Sequence, residues 1–183
     1  MKTKKTAKRT PVFLFVMVLA VMTIGGALAF LTSTTEQIDN TFSIGDINIS
    51  LTESEDLNLE LVPRGTIKKD PKITVEDGSV DCYLFVELEK SDNLDTFISY
   101  EMENGWIPLG DTYPNIYYRE VTTDQTPVTY SILKNDQVIT KNYSKSDVSS
   151  TKPTLSFVGY AIQKTEIADA ETAWTELISV YSE

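Results

Sequence analysis

Asp46-Ile47-Asn48-Ile49-Ser50-Leu51-Thr52-Glu53 places an apolar side chain at every second position. Successive residues of a strand point to opposite faces, so a period of two predicts a strand with one face buried. Upstream, Phe42 and Ile44 alternate in the other phase, and Gly45 between the two halves predicts a bulge or bend. Working outward, Leu57, Leu59 and Leu61 read as a second strand closed by Pro63-Arg64-Gly65. Ile73-Thr74-Val75 reads as a third, ending in the turn Glu76-Asp77-Gly78-Ser79. Cys82 to Leu88 is the most hydrophobic stretch beyond the N-terminal segment and is expected at the centre of the core. Ser91 to Thr96 is polar and predicts a loop or short helix. Asn104-Gly105, flanked by Ile98 to Met102 and Trp106 to Leu109, carries the signature of a type I′ hairpin, whose two central residues need positive φ. Ile116 to Val121, Val128 to Ile132 and Thr154 to Gln163 continue the β pattern, and Lys141 to Lys152 reads as an exposed loop.

The period then changes. Ala170, Ala173, Trp174, Leu177, Ile178 and Tyr181 recur at three- and four-residue spacing, which predicts one amphipathic helix from Ala170 to Tyr181 with Asp169 as its N-cap. Short strands with turn signals between them, and one terminal helix, predict a mainly β chain. The expected architecture is an antiparallel β-sandwich of jelly-roll or immunoglobulin-like kind.

The N-terminus reads differently. Lys2, Lys4, Lys5, Lys8 and Arg9 stand in a segment without acid, followed by the apolar run Val12 to Ile24, which is 13 residues long. That suits a signal-peptide core and falls short of the ~20 residues that span a bilayer. Gly25-Gly26 and Ala27-Leu28-Ala29 supply a helix breaker and two small residues, so cleavage between Ala29 and Phe30 is expected. Residues 1–29 are then a signal peptide and 30–183 a single secreted domain. The membrane is engaged only by the uncleaved precursor, and a signal peptidase is a partner during export.

Cleavage sharpens the charge. Of 16 basic residues five leave with the signal, so 11 face 27 acidic ones, a formal charge of −16. Such a polyanion is repelled by nucleic acid and anionic lipid. The single cysteine, Cys82, excludes an internal disulfide and reads as a buried small hydrophobe. No histidine is present, which excludes HExxH zinc sites, Ser-His-Asp triads and Cys-His dyads. No catalytic residue, cofactor site or metal site is therefore assigned. Asp46, Glu53, Glu55, Asp56, Asp92 and Asp95 offer oxygen ligands for calcium, but without EF-hand spacing a solvated acidic surface is the preferred reading. Trp106 and Tyr113, beside Gly105 and Pro114, are the aromatic candidates for a glycan platform, but aromatics in strands are more often core and cross-strand pairs, and that is the preferred reading. Leu61-Val62-Pro63-Arg64-Gly65 resembles a thrombin site and is read as coincidence inside the fold.

The segment Gly25-Gly26-Ala27-Leu28-Ala29-Phe30, followed by Asn40 to Glu53, resembles the TasA/camelysin family of Gram-positive secreted proteins. Lys69-Asp70-Pro71 with Gly78, Cys82 to Val86, and Gly159 to Gln163 with Trp174 extend the likeness over nearly the whole chain. Arg64, between Pro63 and Gly65, departs from the family's Pro-Gly. The resemblance implies processing by a dedicated signal peptidase (SipW), an extracellular β-sandwich and, in some members, assembly into biofilm matrix fibres. Other members carry a camelysin-type metallopeptidase label, which the missing histidines disfavour. The expected function is a secreted, non-catalytic structural or surface protein of the cell envelope or extracellular matrix. Its partner is a second copy or a related matrix subunit, with Phe30, Phe42 and Ile44 on a strand that adds to a neighbour's sheet edge. A metallopeptidase and a glycan- or protein-binding module are the alternatives.

Overall fold

The computed structural model describes residues 41–54, 63–144 and 153–181. In chain order its strands are β1 (Thr41–Ile44), β2 (Ile49–Thr52), β3 (Thr66–Lys68), β4 (Lys72–Val75), β5 (Cys82–Lys90), β6 (Ile98–Ser99), β7 (Ile107–Pro108), β8 (Ile116–Val121), β9 (Val128–Ser131), β10 (Gln137–Thr140) and β11 (Leu155–Gln163). Two α-helices join them, α1 (Leu94–Phe97) and α2 (Ala170–Tyr181). The chain is mainly β. One sheet runs β1-β11-β5-β8-β7, and two three-stranded sheets run β3-β10-β6 and β2-β4-β9. Every pairing among them is antiparallel except β1 with β11, which is parallel.

The alternation of β5 organises the packing. Cys82, Leu84, Val86 and Leu88 enter one core with Ile73 and Val75 of β4, Val138 of β10 and Phe157 of β11. Tyr83 and Phe85, on the opposite face, enter a second core with Ile162, Ala173, Trp174 and Leu177. Both faces of β5 are thus covered, which is why its sequence reads as an unbroken apolar run rather than an alternating one. The second face is covered by α2. The Trp174 ring lies 5.2 Å from those of Phe85 and Tyr160. Asp169 caps the helix as its sequence indicates, its Oδ1 accepting the Thr172 N–H at 2.8 Å.

Several expectations need correction. Asn104-Gly105 does not join a hairpin. The segment before it pairs through β6 with β10, and the segment after it pairs through β7 with β8, in another sheet. Gly105 has φ of 89° but Asn104 is not in the positive region, and the Trp106 N–H donates to the Glu103 carbonyl. That is a turn with positive φ at its third residue alone, as in type II. The strand expected across Asp46 to Glu53 starts only at Ile49, because Gly45, with φ of 96°, turns the chain from one sheet toward another. β3 and β10 were not expected. Leu57, Leu59 and Leu61, and most of the Lys141 to Lys152 loop, lie outside the described residues, as do Ala27, Ala29 and Phe30. Among the described residues, no helix is long and apolar enough to cross a membrane.

Candidate functional site

The N-terminal strand meets the sheet at its edge. Thr41, Phe42, Ser43 and Ile44 oppose Gly159, Tyr160, Ala161 and Ile162 in parallel register. Close approach is possible there because β11 carries a glycine opposite Thr41. A Cβ on Gly159 would stand 2.6 Å from Cδ1 of Ile73, so the pair sits tightly over the core. Ile44 is half-buried against the cluster that holds Phe85 and Trp174. Among the described residues β1 covers only Gly159–Ile162, and the Leu155–Val158 half of β11 has β5 as its sole strand partner.

Just past β1 the chain is pinned. Ile47 is 3% exposed. The Val80 N–H donates to the Asp46 carbonyl at 3.1 Å, the Glu76 N–H to the Asn48 carbonyl at 2.8 Å, and the Asn48 N–H to Ser79 Oγ at 3.1 Å. Among the described residues, Thr41–Ile44 before the Gly45 bend therefore form an arm laid on one sheet edge, and the chain just past the bend is fixed to the packed body. Phe42 and Ile44 are both in that arm.

Most of the described lysines are paired with acids. Glu53 binds Lys69, Asp95 binds Lys90 at 3.0 Å, and Glu120 binds Lys164. Asp70 is 9% exposed, and burial alone would raise its pKa. Hydrogen bonds from the Ser54 hydroxyl and N–H and from Lys68 outweigh that, holding the carboxyl below its ordinary value. Of the acids considered for calcium, Glu53 and Asp95 are engaged as described, and Glu55 and Asp56 lie outside the described residues. Among the described residues no group of three or more Cys, Asp or Glu side chains is arranged to hold a metal.

Trp106 and Tyr113 are engaged by packing rather than presented as a platform. Trp106 is 7% exposed, its indole N–H donates to the Ser131 carbonyl at 2.9 Å, and the Arg119 guanidinium covers it at 4.9 Å. The same guanidinium lies 4.5 Å from the Tyr130 ring, so Arg119 is clamped between two aromatics. Tyr113 packs edge-on against Trp174 at 6.3 Å. Cys82 is fully buried, and desolvation pushes its thiol up to about 12, far from a nucleophile's range. Pro63 and Arg64 stand exposed on a turn rather than inside the fold. No known protein family, curated protein or solved structure matches the chain.

Proposed function

We propose that this chain is a secreted, non-catalytic structural protein of the cell envelope or extracellular matrix, which assembles when the arm before Gly45 leaves its own sheet and adds to that of a second copy. The observation that supports it is the edge arrangement: a four-residue parallel strand on a nine-residue neighbour, ahead of a glycine bend. The Leu155–Val158 half of β11 lies ahead of this register, and among the described residues β5 is its sole strand partner. An arm supplied by another copy would make its backbone hydrogen bonds along this edge, while its apolar positions use the contacts that Ile44 makes here. In this reading residues 1–29 are a cleaved signal peptide, and the β sheets form a sandwich of jelly-roll or immunoglobulin-like kind. The acid excess keeps free copies apart until the arm engages.

Sedimentation velocity tests this on three chains, beginning at Phe30, at Thr41 and at Asp46. The expected outcome is concentration-dependent large species from the first, and none from the third. Growth that is equal with and without the arm, or monomers from all three, removes the proposal.

A further inference from the structure

The Asn104-Gly105 turn is held by a residue further along the chain. Arg119 Nη2 donates to the Asn104 carbonyl, and the guanidinium is itself fixed between two rings, 4.9 Å from Trp106 and 4.5 Å from Tyr130. A glycine is required in this arrangement. Its φ is 89°, and a Cβ there would stand 2.5 to 2.9 Å from three guanidinium atoms. Trp106, anchored by its indole N–H to the Ser131 carbonyl, closes the turn as its backbone N–H donates to the Glu103 carbonyl at 3.3 Å. The tip itself stays in water, with Asn104 and Gly105 both exposed. Among the described residues, neither the Asn104 side-chain amide nor the Gly105 N–H has a hydrogen-bond partner.

An asparagine followed by glycine is chemically labile, because no side chain screens the following nitrogen. Once that N–H has given its proton to solvent, the nitrogen can attack the asparagine Cγ. The N–Cγ bond forms, the Cγ–Nδ2 bond breaks and Nδ2 leaves as ammonia, which closes a succinimide. Water then opens the ring at either carbonyl, leaving aspartate or isoaspartate. Elsewhere in the described residues asparagine is followed by Ile49, Leu94, Ile116, Asp136 or Tyr143, each with a side chain in the way. Ring closure also has a conformational demand, because Cβ and the Gly105 nitrogen must come to the same side of the Asn104 Cα–C bond. In a turn of type II kind the extended ψ of the first central residue holds them apart. Rotating that bond swings the Asn104 carbonyl off the Arg119 guanidinium, so the reaction has to break a charge-assisted hydrogen bond first.

We infer that Asn104 is a site of spontaneous deamidation through a succinimide, and that the Arg119 clamp sets its rate by holding the turn closed. The change adds one negative charge to a chain with 27 acidic residues, and it depends neither on the arm before Gly45 nor on assembly. The full secreted chain and its Arg119→Met variant are incubated in mildly alkaline buffer, and their peptides are separated by chromatography and read by mass. Met keeps an apolar stem between the two rings and removes every donor. Asn104 is expected to show the mass of an amide-to-acid change before any other described asparagine, with isoaspartate among the products. In Arg119→Met the conversion is expected to run about tenfold faster, the weight of a hydrogen bond from a charged donor. Asp77-Gly78, an exposed turn whose glycine has φ of 82°, isomerises through the same imide and is expected to keep its rate in the variant. Retention of Asn104 while other asparagines convert, aspartate without isoaspartate, or an unchanged rate in the variant each overturns the assignment. Equal acceleration at Asp77 overturns it too, because the variant is then loosened throughout rather than at the clamp.

Discussion

Lys69 Nζ stands 2.9 and 3.1 Å from the two carboxylate oxygens of Glu53. The Lys69 side chain is only 4% exposed and that of Glu53 13%, and the ammonium also lies 5.5 Å over the Phe157 ring. Two charges so placed have lost most of their water, and each is tolerated because the other is present. Removing one leaves a stranded ion. Lys69→Ala or Glu53→Ala is expected to cost about 3 kcal/mol in urea unfolding, whereas Lys69→Met combined with Glu53→Leu recovers most of that loss. A double variant no more stable than either single one would show that the stranded charge is not the source.

Gly159 is held by space rather than by backbone angle. A Cβ there would meet Ile73 Cδ1 at 2.6 Å and Thr41 Cγ2 at 3.5 Å. Ile73 is fully buried between strands, so its side chain has little room to give way. Gly159→Ala is expected to lower stability by about 1–3 kcal/mol. Combining it with Ile73→Val should restore part of the loss, because the shortened side chain retreats from the new methyl group. Gly78→Ala is the contrast: its Cβ meets nothing within 4 Å, and only the φ of 82° opposes it. Its cost is expected near 1 kcal/mol, with no rescue from any core change. Thermal unfolding of the four proteins separates crowding from backbone strain.

Cys82 should be silent in the native state. Its side chain is fully buried at the start of β5, and burial, with the nearby Asp81 charge, holds the thiol protonated up to a pKa of about 12. Iodoacetamide at pH 8 is expected to leave the folded protein unmodified and to alkylate it fully in denaturant, as read by intact mass. Labelling of the folded chain at the rate of the unfolded one would mean that β5 opens readily.

What the sequence conveyed divides along physical lines. β5, β11 and α2 were legible because each carries a long periodic or unbroken apolar signal set by burial on one or both faces. β3 and β10 were not. Thr66-Ile67-Lys68 alternates but is only three residues long, and Gln137 to Thr140 buries Val138 and Thr140 while exposing Ile139, so the first is too short to stand out and in the second hydrophobicity does not follow burial. Asn104-Gly105 was misread because turn chemistry is local, whereas the partners of its two flanks are chosen by distant strands. The cover that Arg119 gives Trp106 is not legible locally, because the two residues meet only through the fold. Phe42 and Ile44 were read as part of a strand for a neighbour's sheet edge, whereas in this chain they lie on the edge of its own sheet, in a parallel direction that follows only from the sheet.

Acid should loosen this fold through three aspartates whose carboxyls sit below their ordinary 3.8. For Asp70, burial opposes ionisation and is outweighed by hydrogen bonds from Ser54 and Lys68. The Thr123 N–H and hydroxyl, both at 2.7 Å, lower Asp81 by hydrogen bonding its charged form, and the Thr172 N–H does the same for Asp169. In each case the unfolded chain takes up its proton at a higher pH than the folded one. The stabilisation is therefore complete above the unfolded value, begins to fail as pH drops through about 4, and is gone below the folded values. Melting midpoints should accordingly not vary with pH through these groups near neutrality, and should fall steeply in acid. Asp81→Asn and Asp169→Asn should each melt lower at pH 7 and show a shallower decline below about pH 4. An acid slope identical to the parent's in both variants would mean that these hydrogen bonds do not couple folding to protonation, and that the decline comes from general charge repulsion instead.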